Sequence, residues 1–161
     1  MRLIIGLGNP GEEYVDTRHN AGFLVADELQ KAKLPKGVIV KKSDVFMNES
    51  GDFVKKQVDQ CKLNLSDLYI VHDDLDIPLG SYKIQFGVGP KVHNGVNSIE
   101  AELGTKDFWR VRIGVDNRKL DDRTQGEEYV LQNFSDDERM VIGKVIEEVC
   151  KKLVTLLVNT S

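Results

Sequence analysis

The chain has 161 residues, 40% hydrophobic and 30% charged, with 14 glycines and 4 prolines; this fits one globular domain that buries its own core. A net charge of −4, from 26 acidic and 22 basic residues, argues against a protein that coats nucleic acid by bulk phosphate neutralisation, but not against RNA contact through a local basic patch. Cys61 and Cys150 lack metal or disulfide-framework spacing and read as reduced thiols. The apolar run of residues 3–5 is too short for a secretory signal or membrane span, so a cytoplasmic protein without a membrane segment is expected.

Arg2–Gly6 is a short apolar run ending in glycine, the pattern of a buried strand. A polar loop follows, then a helical stretch near residues 21–33. Residues 37–41 read as a second strand, and Ser50 is placed to cap a helix running to about Lys62. Residues 68–72 form another buried-looking strand that ends in Asp73-Asp74-Leu75-Asp76. Tyr82–Phe86 alternates like a strand, residues 96–103 read as a helix, and residues 109–115 as a further strand before a polar loop over 116–125. Ser135-Asp136-Asp137-Glu138 is a capping-box pattern opening a long terminal helix. Alternating strands and helices without repeat or linker predict a single α/β domain, with a mixed, mainly parallel sheet sandwiched between helices.

Several short segments carry groups suited to chemistry. Gly6-Leu7-Gly8-Asn9-Pro10-Gly11 spells the glycine pattern of a dinucleotide turn, but the polar stretch over residues 12–20 intervenes where a helix would have to open on the pyrophosphate. His19, in the same loop, titrates in the range a general base needs. Asp73 stands at a strand's carboxyl end, where ligands meet open α/β sheets. A carboxylate there can orient an imidazole, and the His72–Asp76 cluster can alternatively bind a divalent metal. No His-x-x-x-His pair or cysteine cluster supports the metal. Asn48 and Asn94 each offer two donors and an acceptor, suited to an ester carbonyl or a water, or to a helix cap.

In this order the segments resemble the bacterial-type peptidyl-tRNA hydrolase family. GLGNPGEEYVDTRHNAGF, KKSDVFMNESG, HDDLDIPLGSYKIQFG, VHNGVNSIEAELG, DFWRVRIGV and EEYVLQNFSDDE are similar to its successive motifs and cover nearly the whole chain. The resemblance implies cleavage of the ester between peptide and tRNA without a metal or cofactor. It assigns His19 as the base, Asp73 as its orienting acid, and Asn9 as the residue near the ester that separates blocked from free aminoacyl groups. Asn48 and Asn94 position water, peptide and oxyanion. Tyr14 and Phe46 contact the tRNA end, and Met47 and His93 line the same cleft. A catalytically weak RNA-binding homologue and a nucleotide-dependent oxidoreductase are the competing readings, and a monomer is expected.

The sequence also departs from the family pattern. The segment after the first helix is shorter by something like two strands, Ser43 and Val45 replace Pro and Thr, and residues 87–92 are less glycine-rich. Gln85 stands where a lysine commonly meets the tRNA 5′-phosphate. The resemblance gives Arg112 that phosphate role. Strand alternation puts Arg110 and Arg112 on one face, expected to be an exposed basic patch with Lys83 or Lys91 replacing the missing lysine; the alternative is that Arg112 pairs with an internal carboxylate.

Overall fold

The computed structural model describes residues 1–159. Five strands, β1 (Arg2–Gly6), β2 (Val38–Lys42), β3 (Leu68–Pro78), β4 (Tyr82–Phe86) and β5 (Trp109–Asp116), form one sheet in the order β2-β1-β3-β5-β4. All neighbours are parallel except the edge strand β4, which runs antiparallel to β5. Helices α1 (Ala21–Lys31) and α5 (Asp136–Asn159) cover one face; α2 (Ser50–Cys61) and α3 (Asn94–Leu103) cover the other.

The pattern of side chains explains this sandwich. In β1, Ile4 enters the core against α1 and α5, while Leu3 and Ile5 enter the core against α2 and α3. A strand covered on both faces reads as a continuous apolar run, which is why Arg2–Gly6 is legible. In α5, Ile142, Val145, Ile146, Val149, Leu153 and Leu157 are buried, an apolar stripe at helical spacing. The predicted capping box opens the helix: the Ser135 N–H donates to Glu138 Oε1 at 2.8 Å, and the Glu138 N–H donates to Ser135 Oγ at 3.2 Å. At the start of β5, Trp109 stacks on Tyr69 and meets Phe86 edge-on, with ring centroids 5.7 and 5.3 Å away.

Three boundaries differ from those expected. Strand β3 does not stop at residue 72; it pairs with β5 through Asp74↔Gly114 and, after a register shift, Pro78↔Asp116, because its polar side chains find partners within the fold. Helix α3 starts two residues early, at Asn94, since the His93 side chain caps it. Ser50 is the first residue of α2 rather than its cap, and its hydroxyl donates to the Met47 carbonyl at 2.7 Å. A short helix, α4 (Gly126–Val130), was not anticipated.

The glycine turn serves close packing. A Cβ on Gly6 would lie 2.3 Å from the Gly22 carbonyl oxygen, and one on Gly22 would lie 2.3 Å from that of Val71. Helix α1 can therefore cross the sheet only over bare backbone. Residues 12–14 and 18–20 are short 3-10 turns and α1 opens only at Ala21, so the turn presents no helix N-terminus to a dinucleotide.

Candidate active site

A cavity of about 560 Å³ opens at the carboxyl ends of the central strands. The buried Asn9, His19, Met47, Asp73 and His93 line it, together with the exposed Phe46, Asn48 and Asn94. Tyr14 supports the rim from outside, its ring edge-on to Phe46 at 6.4 Å. The remaining wall, from Leu75 and Val92 to Val130 and Leu131, includes α4 and was not foreseen. Its signal in the sequence was that Leu75, Val92, Val130 and Leu131 fall inside three of the family-like segments. A larger hollow of about 730 Å³ lies between α1 and α5 beside Glu28, Lys31 and Cys150, and the ion pair there, Lys31 to Glu28 at 3.8 Å, is exposed.

At the floor, Asp73 is 1% exposed and spends both oxygens on imidazoles. Oδ2 meets His19 Nδ1 and Oδ1 meets His93 Nε2, each at 2.8 Å. Burial alone would raise the Asp73 pKa, but the charges and hydrogen bonds of His19 and then His93 outweigh it and hold the carboxyl well below its usual range. Burial alone would likewise lower the His19 pKa; the Asp73 charge and hydrogen bond overcome this and raise it above 6.5. Because Nδ1–H donates to the carboxylate, the lone pair of neutral His19 sits on Nε2, as a general base requires. His72, fully buried, donates from Nδ1 to the Asp73 carbonyl at 2.8 Å. Burial, then the neighbouring His93, pushes its pKa down to about 3.

The chain holds Asn9 and His19 in place by reciprocal contacts. The Asn9 N–H donates to Asn20 Oδ1 at 2.8 Å, and Asn20 Nδ2 donates back to the Asn9 carbonyl at 3.0 Å. Asn9 Oδ1 accepts the Met47 N–H at 2.8 Å, so the amide is fixed with its Nδ2 donors as the end left for a substrate. Arg18, beside His19, is buried over the Tyr129 ring at 3.8 Å and donates to Glu138 at 2.8 Å and to the Tyr129 carbonyl at 2.9 Å. The loop carrying His19 is thus tied to α4 and to the capping box of α5.

His19, Asp73 and His93 place ligand atoms within 4.8 Å of one another, the one such group among the described residues. A cation there would replace the two ring protons that now satisfy the carboxylate.

The arginines of β5 correct one expectation. Arg110 and Arg112 do share a face, but it is buried, at 1% and 6% exposure, rather than an exposed basic patch. Arg112 donates to Asp74 through Nε and to Gln85 through Nη1, both at 2.7 Å. Arg110 pairs with Glu100 on α3 at 3.1 Å and donates to the Gly89 and Lys106 carbonyls. Helix α3 and the loop through Gly89 cover the face that alternation alone left open. Lys83 and Lys91 are exposed.

Comparison with known proteins agrees with this architecture. The sequence profile of the family described as peptidyl-tRNA hydrolase matches residues 3–161. A peptidyl-tRNA hydrolase of Geobacter metallireducens is 42% identical, over 98% of this chain and 89% of its own. One from Mycoplasmopsis agalactiae is 36% identical, over 99% and 90%. The crystal structure of the Acinetobacter baumannii peptidyl-tRNA hydrolase superposes with a TM-score of 0.84 at 28% identity, over 99% of this chain and 89% of that one. A chain matched from end to end by such relatives, with the family's motif residues gathered in one cleft, belongs to the peptidyl-tRNA hydrolase family.

Proposed function

We propose that this protein hydrolyses the ester joining a peptide to the 3′ end of tRNA, with His19 as the general base. The observation that carries the reading is the buried His19–Asp73 pair at 2.8 Å on the floor of an open cleft. His19 Nε2 takes a proton from water, the oxygen attacks the ester carbonyl, and Asp73 stabilises the imidazolium that forms. The tetrahedral intermediate then expels the ribose oxygen, which recovers the proton from His19. Amide donors from Asn9, Asn48 and Asn94 hold the peptide carbonyl, the water and the developing oxyanion. A tetrahedral intermediate expels an alkoxide far more readily than an unprotonated amide nitrogen, so one base with fixed donors is sufficient and no metal or cofactor is invoked.

Phe46, supported by Tyr14, takes a base of the single-stranded acceptor end by stacking. With Arg112 engaged by Asp74 and Gln85, the exposed Lys83 and Lys91 are the cations proposed to meet the 5′-phosphate. The enzyme acts as a cytoplasmic monomer in this reading. The test is release of peptide from N-blocked aminoacyl-tRNA, with and without chelator. Turnover unaffected by chelator is expected; binding without turnover would make the chain a non-catalytic homologue, and loss with chelator would put a metal on the His19–Asp73–His93 group.

A further inference from the structure

We propose that His93 is a positioning residue for the base, holding the Asp73 carboxylate and drawing off part of its charge through a ring locked in the Nε2–H tautomer. This rests on the reading of His19 as base and Asp73 as its orienting acid, and adds a second imidazole with the opposite task.

The tautomer follows from the hydrogen bonds. His93 Nδ1 faces the N–H groups of Gly95 and Val96 at 3.1 and 3.2 Å. Both can only donate, so Nδ1 carries a lone pair and the ring proton is on Nε2, where it points at Asp73 Oδ1. A proton on Nδ1 would set N–H against N–H at the first turn of α3. His93 is buried at 6% exposure and His72 packs edge-on behind it at 5.2 Å, leaving the ring little room to turn. The two imidazoles on Asp73 are thus unlike each other. His19 shares a proton with the reaction; His93 only donates.

The consequence lies in the strength of the base. A carboxylate whose second oxygen is satisfied by a fixed donor is a weaker acceptor toward His19 than an unshared one. The charges on neighbouring elements are paired: Arg112 with Asp74, and Arg110 with Glu100. The exposed Glu127 on α4 lies toward the cleft mouth. His93 therefore keeps the counter-charge of Asp73 from raising His19 further out of the range in which it works as a free base.

Two substitutions separate this role from helix capping. In His93→Asn the short amide can still accept the α3 N–H groups but no longer reaches Asp73; in His93→Gln the longer amide can donate to Asp73 but no longer caps. The Asn variant is expected to raise the lower inflection of the kcat/KM–pH profile by about 0.5–1 unit, and so to lower kcat/KM at pH 6.5 by about 3–10-fold. The Gln variant is expected to lose Tm and keep the parental inflection. Should it fail to fold, ¹⁵N NMR of the parent reads the tautomer directly, with protonated Nε2 and bare Nδ1 expected for His93. An unmoved inflection in the Asn variant, a change in KM alone, or a protonated Nδ1 in the parent overturns the proposal. A His19→Ala control keeps the two ideas distinct: full activity there removes the base assignment itself, whereas an inactive control with an unmoved His93→Asn profile removes only the role of His93.

Discussion

Asp73 and Asp74 are adjacent on β3, equally buried at 1% exposure, and put to opposite uses. Alternation along the strand sends them to opposite faces of the sheet. Asp73 meets two imidazoles, His19 through Oδ2 and His93 through Oδ1. Asp74 meets the Arg112 guanidinium at 2.7 Å, a charge that persists at any working pH, and its other oxygen accepts the Asp76 N–H at 2.8 Å. Burial therefore does not by itself distinguish the two carboxylates; the chemistry of their partners does.

The largest expected effect is on the catalytic side. His19→Ala is expected to lower kcat/KM by about 10²–10⁴-fold while leaving tRNA binding largely intact, because the proposed mechanism then loses its proton acceptor and little else. Single-turnover kinetics beside a filter-binding titration check it; activity within a few-fold of the parent rules His19 out. Asp73→Asn keeps the shape of the side chain and removes its charge, and a loss on the order of 10²-fold or more is expected. The pH profile gives the more specific reading. Asp73 raises the His19 pKa above 6.5, so the parental activity limb lies above that value and moves to lower pH in the variant. In the parent, the stability that His19 gains from the pair is fully present below 6.5 and lost as pH rises through its raised pKa. The stability that Asp73 gains is present above 3.8 and lost as pH falls through its depressed pKa.

On the other face, the response is expected in stability and not in the pH profile. Asp74→Asn leaves a buried guanidinium short of its counter-charge and is expected to destabilise the fold by about 3–5 kcal/mol in urea unfolding. Replacing the pair together, as Asp74→Leu with Arg112→Met, is expected to be milder than the single change, since no charge is stranded. A shifted activity inflection in Asp74→Asn would break the division between the two faces. The smallest effect is assigned to Lys91→Ala, which is expected to flatten the slope of log affinity against log salt by a little under 1 for a lost phosphate contact. Affinity measured on tRNA with and without its 5′-phosphate checks it; an equal loss on both removes Lys91 from that phosphate.

The sequence made the fold legible where burial was two-sided or capping was local. The continuous apolar runs of β1 and the first half of β3, and the Ser135–Glu138 box, need only near neighbours to be read. The partnership of His19 and Asp73, 54 residues apart, came from the family likeness rather than from any local signal. What stayed hidden was set by long-range partners. Polar Asp74 looks like the end of a strand until its pairing with β5 is seen. Alternation puts Arg110 and Arg112 on one face but does not say that α3 and Gly89 cover it. His93 reads as a cleft residue, whereas its cap on α3 and its bond to Asp73 depend on where the helix starts.

Trp109 is the chain's single tryptophan, and it stands beside Tyr69, at the end of the sheet opposite Asp73. Its indole N–H donates to the Ser66 carbonyl at 3.1 Å, and its ring is held between Tyr69 and Phe86. Intrinsic fluorescence therefore watches the far end of the strands, while the three histidines, all gathered around Asp73, supply imidazole resonances that watch the cleft. The molecule carries two native reporters at opposite ends of one sheet. Denaturation curves from the two coincide if the domain melts as one cooperative unit, and an imidazole curve that runs ahead of the indole curve would mean that the cleft loosens before the sheet does.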